Sequence, residues 1–156
     1  MNTTTSDWVM LAVFLAICFG AAAFGGKFTA GSVRTWYPTL HKPSWNPPGW
    51  VFGPVWTVLY ILMAVAAWLV WRRLESDGAR LALVLFVLQL VLNALWSYFF
   101  FGLRNPKAGF IEIVPLWVAI AGTTVAFARV SAVAGELFVP YLLWASFAMV
   151  LNFAVW

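Results

Sequence analysis

The side chains that usually perform enzyme chemistry are scarce in this sequence. It has one histidine, His41, one cysteine, Cys18, and five scattered acidic residues. These residues form no carboxylate cluster, metal-ligand spacing or glycine-rich phosphate loop, so we predict no metal site and no required cofactor. His41 has the chemistry of a haem-iron ligand, but a lone loop histidine is more often a surface residue. The eleven tryptophans favour a different chemistry, the stacking of flat apolar rings.

The tryptophans are concentrated in one stretch. Four tryptophans and five prolines lie in residues 36–56, WYPTLHKPSWNPPGWVFGPVW. Proline fixes φ and removes a hydrogen-bond donor, so this stretch is expected to form a stiff, kinked loop rather than one regular helix or strand. Rigid aromatic faces on such a loop suit either the membrane interface or a flat hydrophobic ligand.

A polar stripe marks one later apolar segment. Gln89, Asn93 and Ser97 recur every four residues and therefore share one face of a helix, with Trp96 beside them. Polar groups at membrane depth face the bundle interior or a cavity. The stripe indicates either the wall of a small-molecule pocket or hydrogen bonds between helices.

Two further positions have alternative interpretations. Trp144 and Ala148 are one helical turn apart, which leaves space beside a flat aromatic surface; Trp144 would otherwise fill the core. Glu112 is the only acidic residue within an apolar segment. It lies soon after Pro106, near a helix N-terminus where negative charge is favoured, so we expect an interfacial rather than a functional carboxylate.

The composition defines the elements that must position these residues. Hydrophobic residues make up 64% of the 156 residues and charged residues 9%, whereas an ordinary soluble domain has about a quarter charged residues. A membrane-spanning helix needs about 20 mostly apolar residues. We predict an all-α integral membrane protein, a single domain over residues 1–156 with a structured first loop at about 25–50. The predicted helices are 8–24, 51–71, 81–101, 108–128 and 137–156.

The remaining features are weaker. Ala12, Ala16 and Gly20 form a row of small residues on the first helix, where another helix of the same or a second subunit can approach closely. The sole cysteine, Cys18, is expected to serve packing. The net charge of +4 is spread over the loops, so it does not indicate a nucleic-acid partner. The basic residues divide five to four between the two membrane sides, which leaves the orientation open.

These motifs together resemble the tryptophan-rich sensory protein/translocator protein (TspO/MBR) family, also called the peripheral benzodiazepine receptor family. The first-loop resemblance rests on Trp36-Tyr37, Leu40, Lys42-Pro43, Trp45, Pro47-Pro48, Trp50 to Phe52, Pro54 and Trp56. Asn93 with Trp96, and Pro140-Tyr141, Trp144 and Leu151-Asn152, are similar to the other two motifs of the family.

The resemblance implies a five-helix bundle, commonly a homodimer, in the bacterial cell membrane. Its first loop would cover a pocket for porphyrins, including protoporphyrin IX and haem, and for isoquinoline and benzodiazepine drugs. Carried over, the ligand-binding residues are Tyr37, Pro47, Trp56, Asn93, Trp96, Ser97, Trp144 and Ala148. Asn93 and Tyr37 would offer hydrogen bonds, and Lys42 or Arg34 would meet the propionates. Animal members also bind cholesterol, but Phe153 replaces the tyrosine of that motif and no basic residue follows it.

Three functions remain open at this stage. The first is a receptor or sensor of tetrapyrroles that affects their handling or a stress response. The second is light- and oxygen-dependent breakdown of protoporphyrin, for which the resemblance implies Trp56 and Trp144 as the essential residues. The third is porphyrin or sterol transport, although the internal repeats typical of transporters are not evident.

Overall fold

The computed structural model describes residues 3–156 as five long helices. Their bounds are α1 Thr5–Thr35, α2 Phe52–Trp71, α3 Ala79–Ser97, α4 Pro106–Val130 and α5 Ala132–Ala154. Short 3-10 turns at Tyr37–Thr39 and Gly49–Val51 flank the first loop, and a π-helical turn, Tyr98–Gly102, continues α3. All five helices are long and apolar enough to cross a membrane, which confirms the predicted five-helix bundle.

The helices close into a ring. α1 packs against α2 and α3, α4 packs against α3 and α5, and α5 completes the ring by packing against α2. The chain therefore alternates between two ends of the bundle. We call the end that carries the first loop the lid end, and the end that carries residues 72–78 and Ser131 the closed end.

The end of α1 was predicted wrongly. The first loop was expected to begin near Gly25, but α1 continues as a helix to Thr35. A Cβ at Gly25 would lie 2.9 Å from the Ser97 Oγ atom, so this glycine lets α1 and α3 approach closely. The Ser32 hydroxyl donates a 2.7 Å hydrogen bond to the Phe101 carbonyl and holds the last turn of α1 in place. The α-helix ends at Thr35 and leads into the 3-10 turn Tyr37–Thr39, where Pro38 has no N–H to continue the α-helical hydrogen bonds.

The start of α5 was also placed too late. The helix begins at Ala132 rather than at residue 137, so α4 and α5 are separated by Ser131 alone. The Ser131 hydroxyl accepts a hydrogen bond from the Ala134 N–H at 3.3 Å and caps α5. A Cβ at Gly135 would lie 2.5 Å from the Ala128 Cβ atom, so the two helices cross in close contact directly after this hinge.

The row of small residues on α1 lies on the outer surface of the ring of helices. Ala12, Ala16 and Gly20 are exposed, and a Cβ at Gly20 would have no neighbouring atom within 4 Å among the described residues. This row therefore does not hold α1 against the other helices of the same chain. A second subunit as its neighbour stays a prediction.

Candidate functional site

A cavity of about 310 Å³ lies beneath the first loop, between α1, α2, α3 and α5. Seven of the eight residues expected at a ligand pocket line it: Tyr37, Trp56, Asn93, Trp96, Ser97, Trp144 and Ala148. Pro47, the eighth, is not among the lining residues. The loop and three separate helices thus bring the motif residues to one place. Ligand binding by these residues stays a prediction.

The cavity wall on α1 was missed by the sequence analysis. Gly25, Gly26, Thr29 and Val33 line the cavity from the part of α1 that had been assigned to the loop. These residues recur at three- and four-residue spacing, which is the periodicity of one helical face. The Thr29 hydroxyl donates to the Gly25 carbonyl at 2.8 Å, so its proton is not available to a ligand in the cavity. The glycine pair and Lys27 interrupt the apolar run at this point, which is why these residues had been assigned to the loop.

Aromatic rings form most of the wall near α2 and α5. The Trp56 ring lies 5.6 Å from Tyr60 and 6.1 Å from Tyr141, measured between ring centroids. The Trp144 ring packs at 5.9 Å against Phe52 and at 5.4 Å against Phe147 on its own helix. Both tryptophans remain partly exposed while their neighbours hold their orientation. Such partly exposed, fixed rings suit stacking against a flat ligand.

Asn93 connects three helices at the base of the cavity. Its Oδ1 atom accepts a 3.0 Å hydrogen bond from the Tyr60 hydroxyl on α2. Its Nδ2 group donates a 2.6 Å hydrogen bond to the Tyr141 hydroxyl on α5. Asn93 therefore fulfils both alternatives left open by the sequence, because it lines the cavity and also bonds between helices. Tyr141 was known only as part of a motif and had been given no role.

A second amide holds the side of the cavity near α4. The Asn152 Oδ1 atom accepts a 3.1 Å hydrogen bond from the Trp96 indole N–H. The Asn152 amide in turn donates to the Pro106 carbonyl at 2.8 Å, at the start of α4. Trp96 also stacks on Phe100 in the π-helical turn, with a centroid distance of 5.4 Å. These contacts leave Trp96 little freedom to rotate.

The first loop is stabilised by its own polar contacts. The Tyr37 hydroxyl donates to the Asn46 Oδ1 atom at 2.8 Å. Burial raises the pKa of Tyr37, although the hydrogen bond to Asn46 acts in the opposite direction, so the phenol is protonated at neutral pH. The Lys42 ammonium group donates to the carbonyls of Tyr37 and Leu40, at 2.8 and 3.1 Å. Lys42 is thus engaged within the loop, and the expected contact of Lys42 or Arg34 with a ligand carboxylate stays a prediction.

Glu112, which was expected to be interfacial, is buried between helices of the bundle; its depth in the membrane stays a prediction. It is only 8% exposed, and neither carboxylate oxygen has a hydrogen-bond partner within residues 3–156. It is the seventh residue of α4, at the end of the second helical turn, where neighbouring helices cover it. Gln89, from the predicted polar stripe, is also buried but does not line the cavity; its amide approaches the Met63 sulfur at 3.8 Å.

The fold and the cavity together define a multi-helix membrane protein with a cavity beneath a structured loop, and aromatic side chains line much of that cavity. The family model described as the TspO/MBR family matches residues 13–156. The chain is 46% identical to the tryptophan-rich protein TspO of Chlorobaculum tepidum, over 93% of this chain and 92% of that protein. It is 40% identical to the tryptophan-rich sensory protein of Cereibacter sphaeroides, over 94% and 89%.

The similarity extends to an animal relative. The chain is 42% identical to the human translocator protein, over 85% of this chain and 79% of that protein. The chain therefore belongs to the TspO/MBR family. Family membership and the five candidate spans identify it as a multi-pass integral membrane protein.

Proposed function

We propose that this protein is a membrane receptor for flat, largely apolar ring compounds, with porphyrins such as protoporphyrin IX and haem as the principal ligands. Isoquinoline and benzodiazepine drugs, which are smaller aromatic ring compounds, are further proposed ligands. Binding would affect tetrapyrrole handling or a stress response. The observation that carries the proposal is the convergence of Trp56, Trp144 and Asn93 on one cavity beneath the first loop.

The size and lining of the cavity support this ligand class. Small-molecule pockets usually enclose about 300–1,000 Å³ and combine apolar walls with a few polar groups. The cavity, at about 310 Å³, is at the lower end of that range. It is large enough to enclose a small ring system, whereas a larger macrocycle would be enclosed in part. The polar side chains in the lining are few: Thr29, Tyr37, Thr57, Tyr60, Asn93, Ser97 and Asn152.

The charge distribution favours ligands that carry carboxylates. The lid end has five basic residues, Lys27, Arg34, Lys42, Arg104 and Lys107. Its only acidic residue is the buried Glu112. A cluster of like charges raises the local concentration of oppositely charged ligands. Because Lys42 is engaged within the loop, the exposed Arg34 is the better candidate to meet a propionate.

The test is a protoporphyrin titration of the protein in lipid nanodiscs, in the dark, followed by tryptophan fluorescence. We expect saturable quenching in the wild-type protein. In Trp144→Phe the Kd for protoporphyrin should rise about tenfold, the loss expected for an aromatic contact of about 1.4 kcal/mol. Trp50→Phe is the matched control, because Trp50 is 76% exposed and does not line the cavity. Non-saturable quenching, or equal losses in both variants, would remove porphyrin from the proposal.

The same samples separate binding from photochemistry. Under illumination in air, new absorbance bands that need Trp56 or Trp144 would add porphyrin degradation to the binding function. If porphyrin binds in the dark but the absorbance spectrum does not change under illumination, the protein is a receptor without porphyrin-degrading activity.

A further inference from the structure

We propose that ligands reach the cavity sideways from the membrane, through a slot between α1 and α2 that is lined by Gly26, Gly53 and Thr57. This inference rests on the proposed function, since it concerns the same cavity. It specifies the ligand source: a flat ring compound dissolved in the lipid bilayer, rather than one arriving from water past the first loop.

The first observation is that several residues belong to the cavity and to the outer surface at once. Gly26 on α1 and Gly53 and Thr57 on α2 line the cavity and are also exposed. Phe19, at the lower end of the same seam, lines the cavity and is 39% exposed. The cavity therefore reaches the outside between α1 and α2, along helix faces that lie within the candidate membrane spans.

The second observation is that the side-chain ties between α1 and α2 lie below this slot; above it, the Tyr37 ring in the turn after α1 packs against Phe52 at 6.2 Å. At the closed end, the Trp68 indole donates a 2.7 Å hydrogen bond to the Asp7 carbonyl and stacks on Trp8 at 5.6 Å. Halfway along, Phe19 packs against Tyr60 at 6.3 Å. Beyond that pair, no side-chain hydrogen bond or aromatic pair joins α1 to α2 in the part of the chain that the structure describes.

The third observation is free space at the two glycines. A Cβ at Gly26 or at Gly53 would meet no atom within 4 Å from elsewhere in the described chain. Gly25 next to Gly26 differs, since a Cβ there would lie 2.9 Å from the Ser97 Oγ atom. Gly25 is thus needed for packing, whereas Gly26 and Gly53 leave open space beside the two helix backbones.

The first loop is the less suitable route. Lys42 and Tyr37 fix it internally by three hydrogen bonds, and its Trp45 ring packs edge-on against Phe147 of α5 at 5.7 Å. Opening the loop would require several of these contacts to break. The slot requires only that two helix faces without mutual bonds move slightly apart.

The test measures binding rates in nanodiscs by stopped-flow fluorescence with protoporphyrin. Leucine side chains at both glycines, Gly26→Leu with Gly53→Leu, should narrow the slot. We expect association and dissociation to slow together by about tenfold, as for a raised barrier common to both directions. The loss of a ligand contact has a different signature, because it speeds dissociation.

Two exposed glycines away from the cavity provide matched controls. Gly20→Leu on α1 and Gly122→Leu on α4 add the same side chain at exposed glycines that do not line the cavity. Both should bind at the wild-type rates. If the double variant does not purify, Thr57→Phe replaces it, with Val58→Phe as the control at a neighbouring exposed position outside the cavity.

The outcomes distinguish this inference from the proposed function. Wild-type rates in the slot variants, or faster dissociation, would overturn the lateral route while leaving binding established. Faster association and dissociation in Trp45→Ala, which removes the contact between the loop and Phe147, together with wild-type rates in the slot variants, would also overturn it. Absence of saturable binding by the wild-type protein would instead refute the proposed function.

Discussion

The two ends of the bundle are built differently. At the closed end, Phe86, Phe127 and Phe138 are fully buried and lie within 6.4 Å of one another, measured between ring centroids. Hydrogen bonds between sequence-distant segments reinforce this packing; the Arg73 guanidinium group, for example, donates to the Val130 carbonyl at 2.9 Å. At the lid end the same ring of helices surrounds a cavity of about 310 Å³.

Charge follows the same division. The closed end carries four basic residues, Arg72, Arg73, Arg80 and Arg129, and four acidic residues, Asp7, Glu75, Asp77 and Glu136, so its formal charge is zero. The lid end accounts for the excess of positive charge. The closed end therefore supplies stability, and the lid end is the site of the proposed ligand binding. Changes at the two ends should therefore separate stability from binding.

The largest expected effect is at the closed end. Gly135→Leu should destabilise the protein by about 3 kcal/mol, the upper range for overpacking, because its Cβ would lie 2.7 Å from the Ala128 Cα atom. The α4–α5 crossing would have to open. Thermal unfolding in detergent measures the loss, and Gly122→Leu should melt like wild type. Comparable melting of the two variants would contradict the close crossing.

Asn93→Leu should affect both properties, because Asn93 joins the cavity to the helix framework. Its removal deletes two interhelical hydrogen bonds and leaves two buried tyrosine hydroxyls without their partner. We expect a loss of about 1–3 kcal/mol of stability together with weaker porphyrin binding. Denaturation and titration of the same sample report both. Full stability with full affinity would show that the Tyr60–Asn93–Tyr141 chain is unimportant.

Trp68→Phe, at the closed end, should lower stability without changing porphyrin affinity. The variant keeps an aromatic ring against Trp8 but loses the 2.7 Å hydrogen bond to the Asp7 carbonyl. Interhelical hydrogen bonds in membranes contribute about 0.6 kcal/mol on average, so the melting temperature should fall slightly. Porphyrin affinity should match wild type, since Trp68 is remote from the cavity lining. A clear loss of affinity would mean that the two ends are coupled.

Glu112→Gln has the smallest expected effect. An unpaired buried carboxylate is costly, and Glu112 has no partner for either oxygen in residues 3–156. Replacement by the neutral amide should leave stability unchanged or raise it slightly. Unfolding curves of both proteins test this. A substantial loss of stability would reveal that the carboxylate has a bonding role.

The fold was largely predictable because the bilayer imposes a simple requirement. A span needs a continuous apolar stretch, and the predicted limits of α2 to α4 lie within a few residues of those in the structure. The end of α1 was missed because Gly25, Gly26 and Lys27 interrupt the apolar run. What continues the helix there is contact with α3 and its π-helical turn, through Ser97 and Phe101, and such distant contacts have no local signature.

The residues of the candidate site could be predicted from the sequence, but the hydrogen bonds between them could not. Its aromatic residues could be named from their motifs, and most of them line one cavity. The hydrogen bonds from Asn93 to Tyr60 and Tyr141 join residues 33 and 48 positions apart, so they depend on the order of helices in the ring. Burial of Glu112 likewise depends on the neighbours of α4. Residue type and spacing alone do not contain that information.

The most direct test of a receptive lid end is to fill its cavity. Ala148→Phe places a larger ring beside Trp144 on the cavity wall, whereas Ala132→Phe places the same ring at an exposed position at the start of α5. With both variants folded in nanodiscs, protoporphyrin titration should show saturable quenching for Ala132→Phe and none for Ala148→Phe. Equal wild-type affinity in both variants would contradict the assignment of this cavity as the binding site.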